Sequence, residues 1–195
     1  LIGVFLLGML ALYGIFYFFP NVIGETITKV EKDVTVTDEG IADAVEKVYD
    51  SVVVVNTYID GQAYSSGTGF IYKTDNGTAY ILTNNHVIDS ADDVYVKFTN
   101  EQVVKAEVVG SDVYSDIAVL SVDEEYIISV AEIGRSEDAR LGDTVFAIGA
   151  PIDSAYSWSV TRGIVSGKDR LVEVELTSGN TKTPMIVNTL QTDAA

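Results

Sequence analysis

From Ser51 onward the chain is written in short segments rich in Val, Ile, Thr and Tyr, divided by Gly, Asn and Asp. The first six read "SVVVVNTYI", "SGTGFIYKT", "TAYILT", "DVYVKF", "VVKAEVVG" and "DIAVLSV". β-Branched and aromatic residues suit a pleated, half-buried surface, so each segment is predicted to be a strand. Asn76-Gly77, between the second and third, is a strong hairpin signal because both residues tolerate the positive φ of a tight turn. After "YIISVAEIGRSEDARLG" a second series follows, "DTVFAIG", "SWSVTRGIVSG", "LVEVEL" and "PMIVNTLQT". No long helical period separates the strands, which argues against a parallel sheet with crossover helices. The interior is therefore expected to be all-β, in two consecutive groups. Two small barrels would account for the grouping and remove exposed strand edges; a single sandwich would suit the pattern nearly as well.

The N-terminal part is different. Leu1 to Phe19, "LIGVFLLGMLALYGIFYFF", carries no charge over 19 residues. As a helix rising about 1.5 Å per residue it would cross roughly 28 Å of hydrocarbon, and Tyr13, Tyr17 and the closing phenylalanines resemble an interfacial aromatic edge. It exceeds the usual apolar core of a signal peptide, about 7 to 15 residues, and no small-residue cleavage site follows in "FFPNVIGE". Residues 1–19 are read as one transmembrane helix and residues 20–39 as a polar linker or stalk. In "IADAVEKVYD", Ile41, Val45 and Val48 share one helical face, which predicts a short helix, with Asp38 or Thr37 as cap. Residues 40–127 form the first expected lobe, led by that helix, and residues 128–195 the second.

Charge narrows the partners. Twelve Lys and Arg stand against 29 Asp and Glu, a formal net charge of −17. No broad basic footprint is available for a phosphate backbone, so nucleic acid is not expected as a partner. Anionic lipid would repel the domain, which leaves membrane attachment to the N-terminal helix alone. The absence of Cys excludes thiol catalysis, disulfides and thiolate metal sites.

The chain has one histidine, His86, in "TNNHVI". A lone histidine is more often structural than catalytic, and a zinc site wants several His or Cys ligands. No "DxDxDG" spacing marks a calcium loop, so neither metal nor cofactor is expected. Context favours chemistry. His86 follows a strand end, where the backbone is held while the imidazole projects, and Asp116 opens the later strand segment "DIAVLSV" 30 residues on. An intervening hairpin can bring the two together. A carboxylate on Nδ1 would then leave Nε2 free as a general base for a hydroxyl and stabilise the imidazolium formed.

Six separated segments carry a resemblance: "SSGTGFIY", "AYILTNNHVI", "VVGSDVYSDIAVLSV", "IGRSEDARLGDTVFAIGAP", "VTRGIVSG" and "QTDAA". Their order and spacing resemble those of the HtrA/Deg-like serine proteases, from about Asp50 to Ala195, with the N-terminal helix similar to that of membrane-anchored members. The resemblance implies a chymotrypsin-like double β-barrel, with His86 as general base and Asp116 as its orienting carboxylate. It implies tight packing at Gly67 and Gly69 against the strand that leads to His86, and it matches Asp193 to an aspartate preceding the active serine, outside the triad. It further implies unfolded or misfolded polypeptides as substrates, a bacterial cell membrane location with the protease on the extracytoplasmic side, and a possible homotrimer.

One departure weighs most. In the family, "QTDAA" is followed by a Gly-rich turn of the type "NPGNSGG", which holds the nucleophilic serine and the backbone donors of the oxyanion hole. Neither Ser166 in "IVSGK" nor Ser178 in "TSGN" stands in such a turn. Because a single lost oxyanion donor can cost about 3 kcal/mol, a polypeptide ending at Ala195 is expected to be inactive, with an incomplete second barrel. The natural protein is expected to continue with the serine-bearing turn. A smaller departure is "GAPIDSAYSWSV", with Ala150 where the family reads "GNP"; this segment is either a regulatory or substrate-facing loop or unselected surface. The alternative function is a catalytically inactive module that binds extended peptides in the same groove. A cell-surface adhesion module would explain the anchor, acidity and strands, but leaves "TNNHVI" and "SDIAVL" without a role.

Overall fold

A computed structural model describes residues 38–149, 156–178 and 181–194. The apolar run 1–19, the polar stretch through residue 37 and the 150–155 part of "GAPIDSAYSWSV" lie outside the described residues. Among the described residues no helix is long and apolar enough to cross a membrane.

The chain enters through helix α1 (Asp38–Tyr49). Ile41, Val45, Val48 and Tyr49 are partly buried while Ala42, Asp43, Ala44, Glu46 and Lys47 are exposed, the stripe expected from a 3.6-residue period. Six strands follow: β1 (Val52–Ile59), β2 (Gln62–Asp75), β3 (Thr78–Thr83), β4 (Asp93–Lys97), β5 (Val103–Asp112) and β6 (Ile117–Asp123). A single helical turn, α2 (Asn85–Ile88), separates β3 from β4. All neighbours are antiparallel and the order β1-β2-β3-β6-β5-β4 closes on itself through the β1–β4 pair. Closure leaves the barrel no free sheet edge along its paired stretches.

Two-residue alternation fills this barrel. β3 buries Ala79, Ile81 and Thr83; β6 buries Ala118, Leu120 and Val122; β4 buries Val94 and Val96. With Val53, Val55, Ile71 and Phe98 the apolar members of these strands form one core, and Thr83 is a buried polar residue at its end. Each fully buried Val, Ile, Leu or Phe contributes about 1.5–3 kcal/mol, so the barrel interior is the main source of stability. The Asn76-Gly77 signal is realised at the β2–β3 turn, with φ of 51° and 83°. Asp60-Gly61 makes the β1–β2 turn in the same way, with φ of 50° and 73°.

The second group is an open three-stranded sheet, β7 (Thr144–Gly149), β8 (Ser159–Ser178) and β9 (Thr181–Thr192), in that order. Its architecture with the closed barrel is that of a chymotrypsin-like double barrel whose second sheet is incomplete. The two strands expected at "SWSVTRGIVSG" and "LVEVEL" are one continuous strand. The polar residues between them, Lys168 to Arg170, do not turn the chain; register shifts at Val165/Gly167 and Gly167/Arg170, with Asp169 at φ 52°, absorb them as a bulged region. β8 thereby pairs with β7 through its first residues and with β9 through the rest. Trp158 Nε1 donates to the Val52 carbonyl at 2.9 Å, which ties the start of β8 to the first barrel strand.

Candidate active site

Two adjacent strand ends create the site. β3 and β6 pair antiparallel to Thr83↔Ala118, so the residues after β3 and those before β6 emerge together at one end of the barrel. The chain leaving Thr83 makes α2, which carries His86, and Asp116 sits one residue ahead of β6. The intervening β4–β5 pair is what returns the chain to this place.

Asp116 is bonded to three consecutive residues. Its carbonyl accepts from Asn85 N at 3.2 Å and from Asn84 Nδ2 at 3.1 Å. Its Oδ1 accepts from the backbone N of His86 at 2.9 Å, while Oδ2 lies 2.7 Å from His86 Nδ1 and 3.2 Å from Asn84 Nδ2. A carboxylate can only accept, so the neutral ring making this contact carries its proton on Nδ1 and its lone pair on Nε2. The His86 side chain is 71% exposed and that of Asp116 only 35%. The carboxylate is thus half-sheltered behind a ring whose outer edge faces solvent. Asp116 has φ 53°, in the left-handed region, where Asp and Asn are the side-chain-bearing residues most often found.

The turn before Asp116 is itself braced. Asp112 Oδ1 accepts from Tyr114 N at 3.1 Å, and Oδ2 accepts from Ser115 Oγ at 2.8 Å and Ser115 N at 3.2 Å. The Ser115 hydroxyl, then the Tyr114 amide, hold the Asp112 carboxyl below the ordinary carboxylate range. The sequence reading missed Asp112. Its signal was an aspartate followed by a serine three residues on, the pattern of a side chain closing its own turn.

On the other flank, Thr83 Oγ1 donates to the Thr68 carbonyl at 2.9 Å, pinning the last residue of β3 to β2. A methyl group on Gly67 would meet Val87 Cγ2 at 2.6 Å, and one on Gly69 would meet Ile81 Cγ2 at 2.9 Å. The two glycines therefore permit the close approach of β2 to α2 and β3. A largely apolar cleft of about 560 Å³ lies beside Asn84 and Ile117, with Phe70 and Leu82 of the barrel facing Phe146 and Ile148 of β7. Ser166 lies on β8 with its hydroxyl directed to the Ile164 carbonyl at 3.4 Å, and Ser178 ends that strand. Asp193 follows β9, and its Oδ1 accepts from Ile164 N at 2.7 Å. Among the described residues no cluster of three or more His, Asp or Glu side chains is placed to hold a metal ion.

A closed six-stranded antiparallel barrel, a second open sheet and a histidine held by an aspartate at one barrel end define a class, and residues 67–195 match the family of the trypsin-like peptidase domain. The chain belongs to that family. Within it, the chain is similar to the Do-like HtrA serine protease of Bacillus subtilis (strain 168), with 45% identity over 130 residues, covering 67% of this chain and 28% of that protein. The crystal structure of the serine endoprotease from Yersinia pestis is 32% identical with a TM-score of 0.59, covering 75% of this chain and 53% of that one. The HtrA-type protease AlgW with tripeptide is 30% identical with a TM-score of 0.59, covering 75% and 50% respectively. The chain thus spans well under half the length of the Bacillus relative and about half of the two solved chains.

Proposed function

We propose that the chain is the His–Asp-bearing part of a membrane-anchored serine endopeptidase of HtrA type that cleaves unfolded or misfolded polypeptides outside the cytoplasmic membrane of a bacterium. The observation that carries this reading is the 2.7 Å contact between His86 Nδ1 and Asp116 Oδ2 at the end of a trypsin-like barrel. In the proposed reaction a serine hydroxyl, supplied by the natural protein just after residue 195, attacks the scissile carbonyl. His86 Nε2 takes the hydroxyl proton and later gives it to the leaving amine; Asp116 keeps the ring oriented and stabilises the imidazolium. Water then resolves the acyl-enzyme by the same proton route. An extended substrate segment would gain affinity by pairing its backbone with a strand edge beside the cleft.

The remaining parts follow the same resemblance. Residues 1–19 supply the anchor, their uncharged length supporting that role. Residues 40–127 and 128–195 are the two lobes, and a homotrimer is the assembly the same resemblance implies. The test uses the full-length natural protein with a fluorophosphonate probe and a denatured protein substrate. Labelling of a serine together with substrate cleavage, both lost in His86→Ala, is the expected result. Labelling that persists in His86→Ala overturns the assignment of the base. Retention of unfolded polypeptide with neither labelling nor cleavage favours the inactive, peptide-binding alternative.

A further inference from the structure

One polar group inside the barrel has no part in the His86–Asp116 contact set. Thr57 on β1 is fully buried, among a core otherwise made of Val, Ile, Leu, Ala and Phe. A buried hydroxyl is destabilising unless it is hydrogen-bonded, so its partners show what it is there for. Thr57 Oγ1 accepts from Ser65 N at 3.1 Å, lies 3.2 Å from the Ser65 carbonyl and lies 3.3 Å from the Val87 carbonyl. The first two contacts belong to an irregularity in the β1–β2 pair, where Thr57 faces Ser65 but Tyr58 faces Ala63, leaving Tyr64 as the extra residue. The third reaches α2, which packs directly against β1 and β2, and Val87 is the residue next to His86.

The hydroxyl has a single proton and two carbonyls in reach. The two carbonyls lie at nearly the same distance, and the Val87 carbonyl belongs to a one-turn helix too short to supply its usual backbone partner. The amide that would serve it in a longer helix, Ala91 N, donates instead to Ile88 O at 3.2 Å. The side chain of Val87 is held at the same time by Gly67. α2 is thus bonded by Asp116 at the His86 amide and by Thr57 at the Val87 carbonyl, two neighbouring points of the backbone that carries the imidazole.

We propose that Thr57 is a positioning residue for His86: its buried hydroxyl fixes the Val87 carbonyl and thereby the orientation in which the neighbouring ring meets Asp116. The inference rests on the reading of His86 as the general base, because a base needs Nε2 free and its ring held in the Nδ1–H tautomer. The competing role, closing the irregularity at Ser65 alone, would stabilise the barrel without touching the ring.

The single histidine of this chain makes the distinction measurable, since every imidazole ¹⁵N signal belongs to His86. The experiment compares the Nδ1–H to Nε2–H tautomer ratio of the neutral ring in the chain as it stands, in Thr57→Val and in Thr57→Ser. Thr57→Val keeps the shape and removes the proton; the expected result is a shift of the ratio toward Nε2–H. Thr57→Ser retains the hydroxyl and is expected to restore the ratio of the unaltered chain. An unchanged ratio in Thr57→Val, or a shifted ratio in Thr57→Ser, overturns the proposal. Should Thr57→Val give no dispersed spectrum, the proposal stays falsifiable through Thr57→Ser, in which a shifted ratio overturns it. No nucleophile takes part, so this outcome is read separately from any probe labelling of the full-length protein.

Discussion

Asp116 grips His86 twice, with Oδ1 on its backbone N–H at 2.9 Å and Oδ2 on its ring Nδ1 at 2.7 Å. One carboxylate therefore fixes both where the residue sits and how its ring is turned. Substituting Asn separates these functions. In Asp116→Asn the amide oxygen can keep the backbone bond while the NH₂ group faces Nδ1 and selects the opposite tautomer. The expected outcome in the full-length protein is a kcat lower by about 10⁴-fold with an unchanged thermal midpoint, read by peptide hydrolysis beside circular dichroism.

Gly67 and Val87 make a second testable pair. A methyl group at Gly67 has Val87 Cγ2 at 2.6 Å and Cγ1 at 3.0 Å, with no open space to take it. Gly67→Ala is expected to cost about 1–3 kcal/mol by overpacking. Val87→Ala removes the obstructing atoms, so the double variant should be more stable than the sum of the single losses predicts. A urea-denaturation double-mutant cycle measures this, and strict additivity would show that the glycine is not there for Val87.

Asp112 gives the fold a pH dependence of known sign. Its carboxyl is held low in the folded chain, first by the Ser115 hydroxyl and then by the Tyr114 amide. The unfolded state consequently binds a proton more readily, so this contribution is present above the ordinary Asp pKa of about 3.9 and fades as pH falls through the lower folded value. Asp112→Ala should lose stability at neutral pH and lose less on acidification than the unaltered chain. Urea midpoints collected from neutral to acidic pH check it, the difference between the two chains isolating Asp112 from the other carboxylates.

Asp193 replaces a ladder bond where the chain leaves β9. Its Oδ1 takes the Ile164 amide at 2.7 Å, one residue before Val165 pairs with Thr192, and Ala194 N donates to Thr192 Oγ1 at 3.1 Å. Gly163 admits this close return, because an added methyl group there would collide with the backbone of Ala194. Asp193→Ala is expected to speed hydrogen exchange at the Ile164 amide about fivefold, a loss near 1 kcal/mol for one hydrogen bond. Exchange elsewhere in β8 should be unaffected.

Much of this was legible along the chain. The six barrel strands follow from β-branched runs between turn residues, and Asn76-Gly77 announces its turn because few other pairs tolerate two positive φ values. Alternation identifies Ile81 and Leu120 as inward, and the stripe of Ile41, Val45 and Val48 marks α1. The reading failed where polar residues were taken as punctuation. Lys168 to Arg170 looked like a break between strands, yet a bulge carries them through because β9 continues to pair on either side.

Sequence by itself determined the all-β character and the two groups of strands and raised the expectation that His86 and Asp116 meet, since side-chain period and turn chemistry are properties of neighbours along the chain. Only the tertiary structure decided that β3 lies against β6, that the barrel closes through β1 and β4, that Thr57 Oγ1 meets the Val87 carbonyl and that Asp112 closes the turn before Asp116. The physical reason is the range of the forces concerned. Strand propensity and turn geometry act over a few residues. Barrel closure and the partners of a buried hydroxyl depend on which distant segments the shared core brings within hydrogen-bond reach.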